Sequence, residues 1–236
     1  MGNYSEAIKN SYRALKLFEL IGQTELTIYL YSNLGYTFEK QNNFPEALNA
    51  YNKSLQLAEK TGNKIGIADA SSSIGQLFYN NDNYNEAYKN YADALIIYKE
   101  LDNQYRIAYS IERIGDLMEK KGDLLAAQDS MNESVINYND AYNHYREALS
   151  IYSKTEYKVG EAELNTLVGN ILLKLKNLPA AEKYLFDAIK ISKAIESKEA
   201  IKNAYKGLSD YYYLRGDFKS AIDNYKLFIG YRAPLL

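Results

Sequence analysis

Asn43-Phe44-Pro45-Glu46-Ala47-Leu48, eight residues after the pair Leu34-Gly35, decides how this chain folds. The same hexad occurs as Asn3-Tyr4-Ser5-Glu6-Ala7-Ile8 and as Asn83-Tyr84-Asn85-Glu86-Ala87-Tyr88, each time 40 residues away. Weaker copies begin at Asp123, Asn177 and Asp217, so the offsets run 40, 40, 40, 54 and 40. A fixed period of this length is the signature of a stacked repeat architecture.

Each column has a physical reading. Asn3, Asn43, Asn83, Asp123, Asn177 and Asp217 are N-cap residue types, able to accept from the orphan amides of a following helix. Glu6, Glu46 and Glu86 lie three residues on, as in a capping box. Pro45 and Pro179 fall in the first turn, where no intrahelical donor is lost. Ala7, Ala47, Ala87, Ala127, Ala181 and Ala221 form one small-residue column. Ala14, Ser54, Ala94, Ser134 and Ala188 form another, which Phe228 breaks in the last repeat. Gly35, Gly75, Gly115 and Gly169 share a helix-interior column, where glycine costs about 1 kcal/mol against alanine. Their recurrence implies a crossing too tight for a Cβ. Gly22 and Gly62 fit helix C′ positions instead.

Between these marks, apolar residues recur at steps of three or four, as in Leu48, Tyr51, Leu55 and Ala58, and no stretch sustains period-two alternation. The expected fold is all-α: antiparallel helix pairs at about 24–62, 63–102, 103–156, 157–196 and 197–231, after a half repeat at 1–22. That makes about five and a half repeats in a single solenoid domain spanning 1–236.

The 14-residue irregularity falls in the third pair. No Gly or Pro occurs from Asp123 to Lys154, and Ala127, Ser134, Ala141 and Ala148 hold a seven-residue spacing. The sequence thus predicts one extended helix over about 123–154, roughly 48 Å long. Tyr138, Tyr142, Tyr145 and Tyr152 on it are either packed on an adjacent repeat or exposed as a partner or homodimer contact.

Composition narrows the function. Net charge is −2, with 28 Lys and Arg mixed among 30 Asp and Glu, so no basic field points to nucleic acid. Cysteine is absent and His144 is the single histidine, which excludes Cys/His catalysis and multi-histidine metal sites. Glycines are dispersed, and no phosphate-binding loop is present. No catalytic residue, cofactor or metal site is expected. No run of about 18 apolar residues exists, so no membrane span is expected within the chain. A cytoplasmic setting is slightly favoured, with an extracytoplasmic one the alternative for part of a membrane sensor.

The motif Tyr31, Leu34-Gly35, Phe38, Ala47, Tyr51 and Ser54 resembles the tetratricopeptide repeat (TPR) family, as do Ile74-Gly75, Phe78, Ala87, Tyr91 and Ala94. The 40-residue unit is similar to the longer-helix variety found in bacterial signalling regulators and adaptor proteins. The resemblance implies a right-handed superhelix with first helices lining a concave groove. Carried over by position, that groove would hold Tyr29, Asn33 and Tyr36, then Asp69, Ser73 and Gln76. Tyr109, Arg113 and Asp116 follow, then Thr166 and Asn170, and last Asn203, Lys206, Asp210 and Tyr213. The Lys/Asn carboxylate clamp of one subclass is replaced here by Ser32, Tyr36, Ser72, Gln76, Glu112 and Asp116. The expected role is a non-enzymatic scaffold for a protein or peptide ligand. The alternative is a sensory or regulatory module of a larger signalling protein, controlled by peptide binding or dimerisation.

Overall fold

A computed structural model describes residues 4–232. The Asn3 cap and the segment beyond Arg232 lie outside them. The described residues form eleven α-helices and no strand. Packing divides the chain into two units, Met1–Arg106 and Ile107–Leu236. The first unit holds α1 (Tyr4–Leu20), α2 (Thr24–Lys40), α3 (Phe44–Thr61), α4 (Lys64–Asn80) and α5 (Tyr84–Glu100). The boundary passes through the start of α6 (Gln104–Ala127). The second unit continues with α7 (Met131–Lys154), α8 (Lys158–Lys174), α9 (Leu178–Ala194), α10 (Lys198–Arg215) and α11 (Phe218–Arg232).

One turn design joins the helices. In each, an amide reaches back five residues to close the C-terminus: Asn43 to Phe38 O at 2.9 Å, Asn83 to Phe78 O at 2.9 Å, Asn177 to Leu172 O at 2.9 Å. The preceding residue must be left-handed. Glycine supplies this at Gly22, Gly62 and Gly216, but Asn42, Asp82, Asp102, Asp129, Glu156, Lys176 and Glu196 adopt φ of 50–60° as well. Asn83, Asn177 and Asp217 then accept from the third amide of the next helix, while Asn43 makes no such side-chain bond.

Asp129 corrects the long-helix expectation. The chain does not run as one helix over 123–154; it reverses at 128–130, with Asp129 at φ 60°. Each helix of this pair has 24 residues where most have 17, so the 14 extra residues are two heptads, one on each arm. Asp123 therefore lies inside α6 and is not an N-cap, and Ala127 is an exposed helix end outside the small column. The physical reason is antiparallel pairing: lengthening one arm alone would leave its apolar stripe without a partner.

The pairs are locked by rings set into glycine notches. A Cβ built on Gly35 would stand 2.5 Å from the Tyr51 ring, on Gly75 2.9 Å from Tyr91, and on Gly115 2.7 Å from Tyr145. The extra heptads repeat the device, with Gly122 facing Tyr138 at 2.6 Å. The hydroxyl of each ring then returns to the glycine's own helix. Tyr51 donates to Glu39 at 3.0 Å, Tyr91 to Gln76 at 3.0 Å and Tyr138 to Asp123 at 2.9 Å. Small columns allow the approach: Ala47, Ala87, Ala141, Ala148, Ala181 and Ala188 are fully buried. In the first unit, Leu15, Leu34, Phe38, Tyr51, Ile74 and Leu77 gather around the notches as one core.

Replacing Gly115 by alanine gains about 1 kcal/mol of helix propensity. It also drives a methyl into a ring that cannot retreat. We expect a net loss of about 1–3 kcal/mol, read as a lower denaturant midpoint with unchanged helix content; an equal or higher midpoint would show that the notch is not under constraint.

Candidate partner-binding faces

In the first unit, α2 and α4 lie side by side, tied by Asn80 Nδ2 donating to Glu39 Oε1 at 2.9 Å. Steps of three and four residues place Tyr29, Asn33 and Tyr36 on one stripe of α2. Tyr29 is 64% exposed and Tyr36 56%, and the Lys40 ammonium sits 4.9 Å from the Tyr36 ring centre. The α4 residues behave differently. Asp69 accepts from Tyr98 at 2.5 Å and pairs with Arg106 at 3.2 Å. Gln76 accepts from Tyr91 and donates to Asn80 at 2.9 Å, and Ser73 donates to the Asp69 carbonyl at 2.9 Å. Asp69 and Gln76 thus hold helices together as much as they face outward, while Ser73 bonds within its own helix.

In the second unit, α6 carries a charged network. Arg113 bonds Asp116 at 2.9 Å and Glu112 through its other terminal nitrogen, with its guanidinium 5.3 Å from the Tyr109 ring centre. Tyr145 reaches both Asp116 at 2.8 Å and Glu119 at 2.7 Å. A single hydroxyl proton cannot serve both at once. Lys174 of α8 closes the network on Glu119 at 2.8 Å and Asp123 at 2.5 Å.

Burial pushes the Asp116 carboxyl up to about 6, against the pull of Arg113 and with added repulsion from Glu112. Burial raises Glu112 too, again opposed by Arg113, and it raises Glu163 on α8. Tyr145 stands well above its ordinary value through burial and its two carboxylates. Tyr138 rises to about 12 by burial and its bond to Asp123. For Lys174, burial works to lower the value, but Glu119 and Asp123 outweigh it and the net shift is upward.

The remaining expected groove residues divide. Thr166 is buried, its hydroxyl donating to the Ala162 carbonyl at 3.2 Å, so it does not line a surface. Asn170 is half-buried, and its Oδ1 has no hydrogen-bond partner. The aligned positions explain this: where Gln76 and Asp116 receive a tyrosine hydroxyl, the Gly169 notch beside Asn170 is filled by Leu185, which has none to give. Asn203 is exposed, Lys206 pairs with Asp210 at 2.6 Å, and Tyr213 is 64% exposed with its edge on Phe218.

Among the long-helix tyrosines, Tyr138, Tyr145 and Tyr152 are buried and Tyr142 is half-buried. Tyr138 and Tyr145 fill notches on α6, and Tyr152 packs on Gly160 of α8. Those three are core, not an exposed interface. Sequence reasoning left Glu119 and Lys174 out of the α6 network. Glu119 sits four residues after Gly115, as Glu39 does after Gly35, and that shared spacing is the signal that could have found it. Among the described residues no cluster could hold a metal ion, and no helix is long and apolar enough to cross a membrane.

Residues 1–60 match the tetratricopeptide repeat family. The same helix pair recurs through the described residues, so the fold is a TPR-like helical solenoid. No curated protein matches it by sequence. Solved structures share the fold. BtubC (BKLC) from P. vanneervenii superimposes at a TM-score of 0.81 and 14% identity, over 98% of this chain and 92% of that one. The apo form of RapI gives 0.61 and 16%, over 98% of each chain. The Rap conjugation gene regulator of plasmid pLS20, solved with the Phr* peptide, gives 0.64 and 19%, over 88% of this chain and 54% of that one.

The α6 network sets a pH dependence. A carboxyl held at about 6 when folded binds its proton more tightly than in the unfolded chain, where it sits near 3.8. Its stabilising contribution is complete below that lower value and is lost as pH rises through 6. Between pH 4 and pH 7.5 the stability difference between wild type and Asp116→Asn should shift against wild type by on the order of 1–3 kcal/mol. Urea titrations of both proteins measure it; a constant difference would mean that Asp116 titrates normally.

Proposed function

We propose that this chain is a non-catalytic scaffold that holds an extended protein or peptide segment on the first-helix faces of its repeats. The observation that carries the reading is the α2 stripe, where two large tyrosines stand mostly in solvent on either side of Asn33. Rigid aromatic area with a polar tip is the usual anchor of a binding surface. Asn33 adds a donor and an acceptor suited to a peptide group. In the second unit Asn203 and Tyr213 offer the same chemistry on α10. The Rap regulator that shares this fold was solved with a peptide, which supports a peptide ligand here.

The titratable groups of α6 are committed to one another, which favours binding over catalysis. Their excess of carboxylates, with the net charge of −2, disfavours a phosphate backbone as partner. The peptide-controlled regulatory module remains the second reading, favoured by the same Rap likeness.

Capture with the full chain as bait, then mapping of the bound segment, identifies the ligand. Joint replacement of Tyr29 and Tyr36 by alanine should weaken that complex at least tenfold, about 1.4 kcal/mol or more, with the circular dichroism spectrum unchanged. Undiminished affinity would remove α2 from the binding face.

A further inference from the structure

The side of α2 turned away from the Tyr29–Asn33–Tyr36 stripe borders an open cleft. At about 100° per residue, Thr24, Thr27 and Tyr31 lie on roughly the opposite side of the helix. Together with Phe18 and Glu19 of α1 and the 53–60 segment of α3, they enclose about 480 Å³, within the range of specific ligand pockets. The walls are mixed. Phe18, Leu57 and the Tyr31 ring are apolar or aromatic, and Lys53 and Lys60 supply two ammonium groups.

Those cations are not neutralised by the fold. Among the described residues of this unit the ion pairs are Lys64 with Glu100 and Arg106 with Asp69; Lys53 and Lys60 have none. Lys53 lies 5.6 Å from the Tyr31 ring centre. Glu19, the carboxylate on the walls, accepts the Tyr31 hydroxyl at 3.2 Å.

The next repeat shows that stacking does not require this arrangement. Forty residues on, Thr27 becomes Ile67, Lys53 becomes Asp93, Gln56 becomes Ile96 and Lys60 becomes Glu100. There the charges close on themselves, Lys64 meeting Glu100 at 2.8 Å. In the first repeat the same positions carry smaller or polar walls and an excess of positive charge, two lysines against Glu19.

We propose that the α1–α2–α3 cleft is a second binding site, for a short peptide segment in which a carboxylate side chain neighbours an aliphatic or aromatic one. The carboxylate meets Lys53 and Lys60, and the apolar neighbour rests on Phe18, Leu57 and the Tyr31 ring. The site is independent of the stripe on the other side of α2.

The test is fluorescence anisotropy of the full chain with dye-labelled hexapeptides pairing a central Glu or Asp with Leu, Ile, Phe or Met. Binding is expected for some of them. It should fall at least tenfold when Gln or Asn replaces the acid, and at least tenfold in Lys53→Glu/Lys60→Glu. Thr27→Ile, which installs the residue of the next repeat, guards against a charge-reversed variant that misfolds and should weaken binding likewise. Tyr29→Ala/Tyr36→Ala should leave it unchanged, which separates this site from the groove. The proposal is overturned if no acidic peptide binds, if the amide peptides bind equally well, or if both cleft variants bind as wild type does. Octanoate binding in a calorimetric titration, without any peptide binding, would likewise overturn it, assigning the cleft to a free carboxylate.

Discussion

A tyrosine ring pressed into a glycine notch, with its hydroxyl returned to the glycine's own helix, is the contact on which the pairing rests. It joins two requirements that usually conflict. The ring fills the space that a missing Cβ leaves open, so the helices close without a void. The hydroxyl, which would otherwise be buried at a cost, finds a carboxylate or carboxamide. Tyr51, Tyr91, Tyr138 and Tyr145 each do this, which a phenylalanine at the same positions could not.

The same contact explains why the expected groove is only partly available to a partner. A residue next to a notch glycine is the nearest acceptor for the incoming hydroxyl. Gln76 and Asp116 occupy that position, and both are drawn into holding the helix pair. Tyr36 occupies it in the preceding repeat and cannot accept in the same way, so Glu39 takes the hydroxyl and Tyr36 stays in solvent. The outward face is therefore most available where the notch finds its acceptor elsewhere.

Much of the architecture was legible because it follows period and column. The helices, the three-residue turns and the tight glycine crossings all rest on residue types that repeat. Two features were not. The reversal at Asp129 carries no glycine or proline, and a left-handed aspartate is locally indistinguishable from one inside a helix. Only the antiparallel partner, a non-local fact, decides between them. The α6 network was read in part, since Arg113 and Asp116 stood out but their links to Tyr145 and Lys174 depend on helices far apart in sequence. The tyrosines of α7 left packing and interface both open, because a heptad stripe reads the same whether it meets another molecule or its own hairpin.

The lengthened pair has a consequence for how such a chain can change size. Its arms grew by seven residues each and kept a notch in register, Gly122 with Tyr138 as Gly115 with Tyr145. An insertion confined to one arm would shift one end by about 10 Å against the other and strand a ring opposite a side chain. Length in this architecture is thus quantised, with viable increments arriving as matched heptads on both sides of a turn. A hairpin lengthened in this way extends beyond neighbours of ordinary size without altering the stacking beneath it.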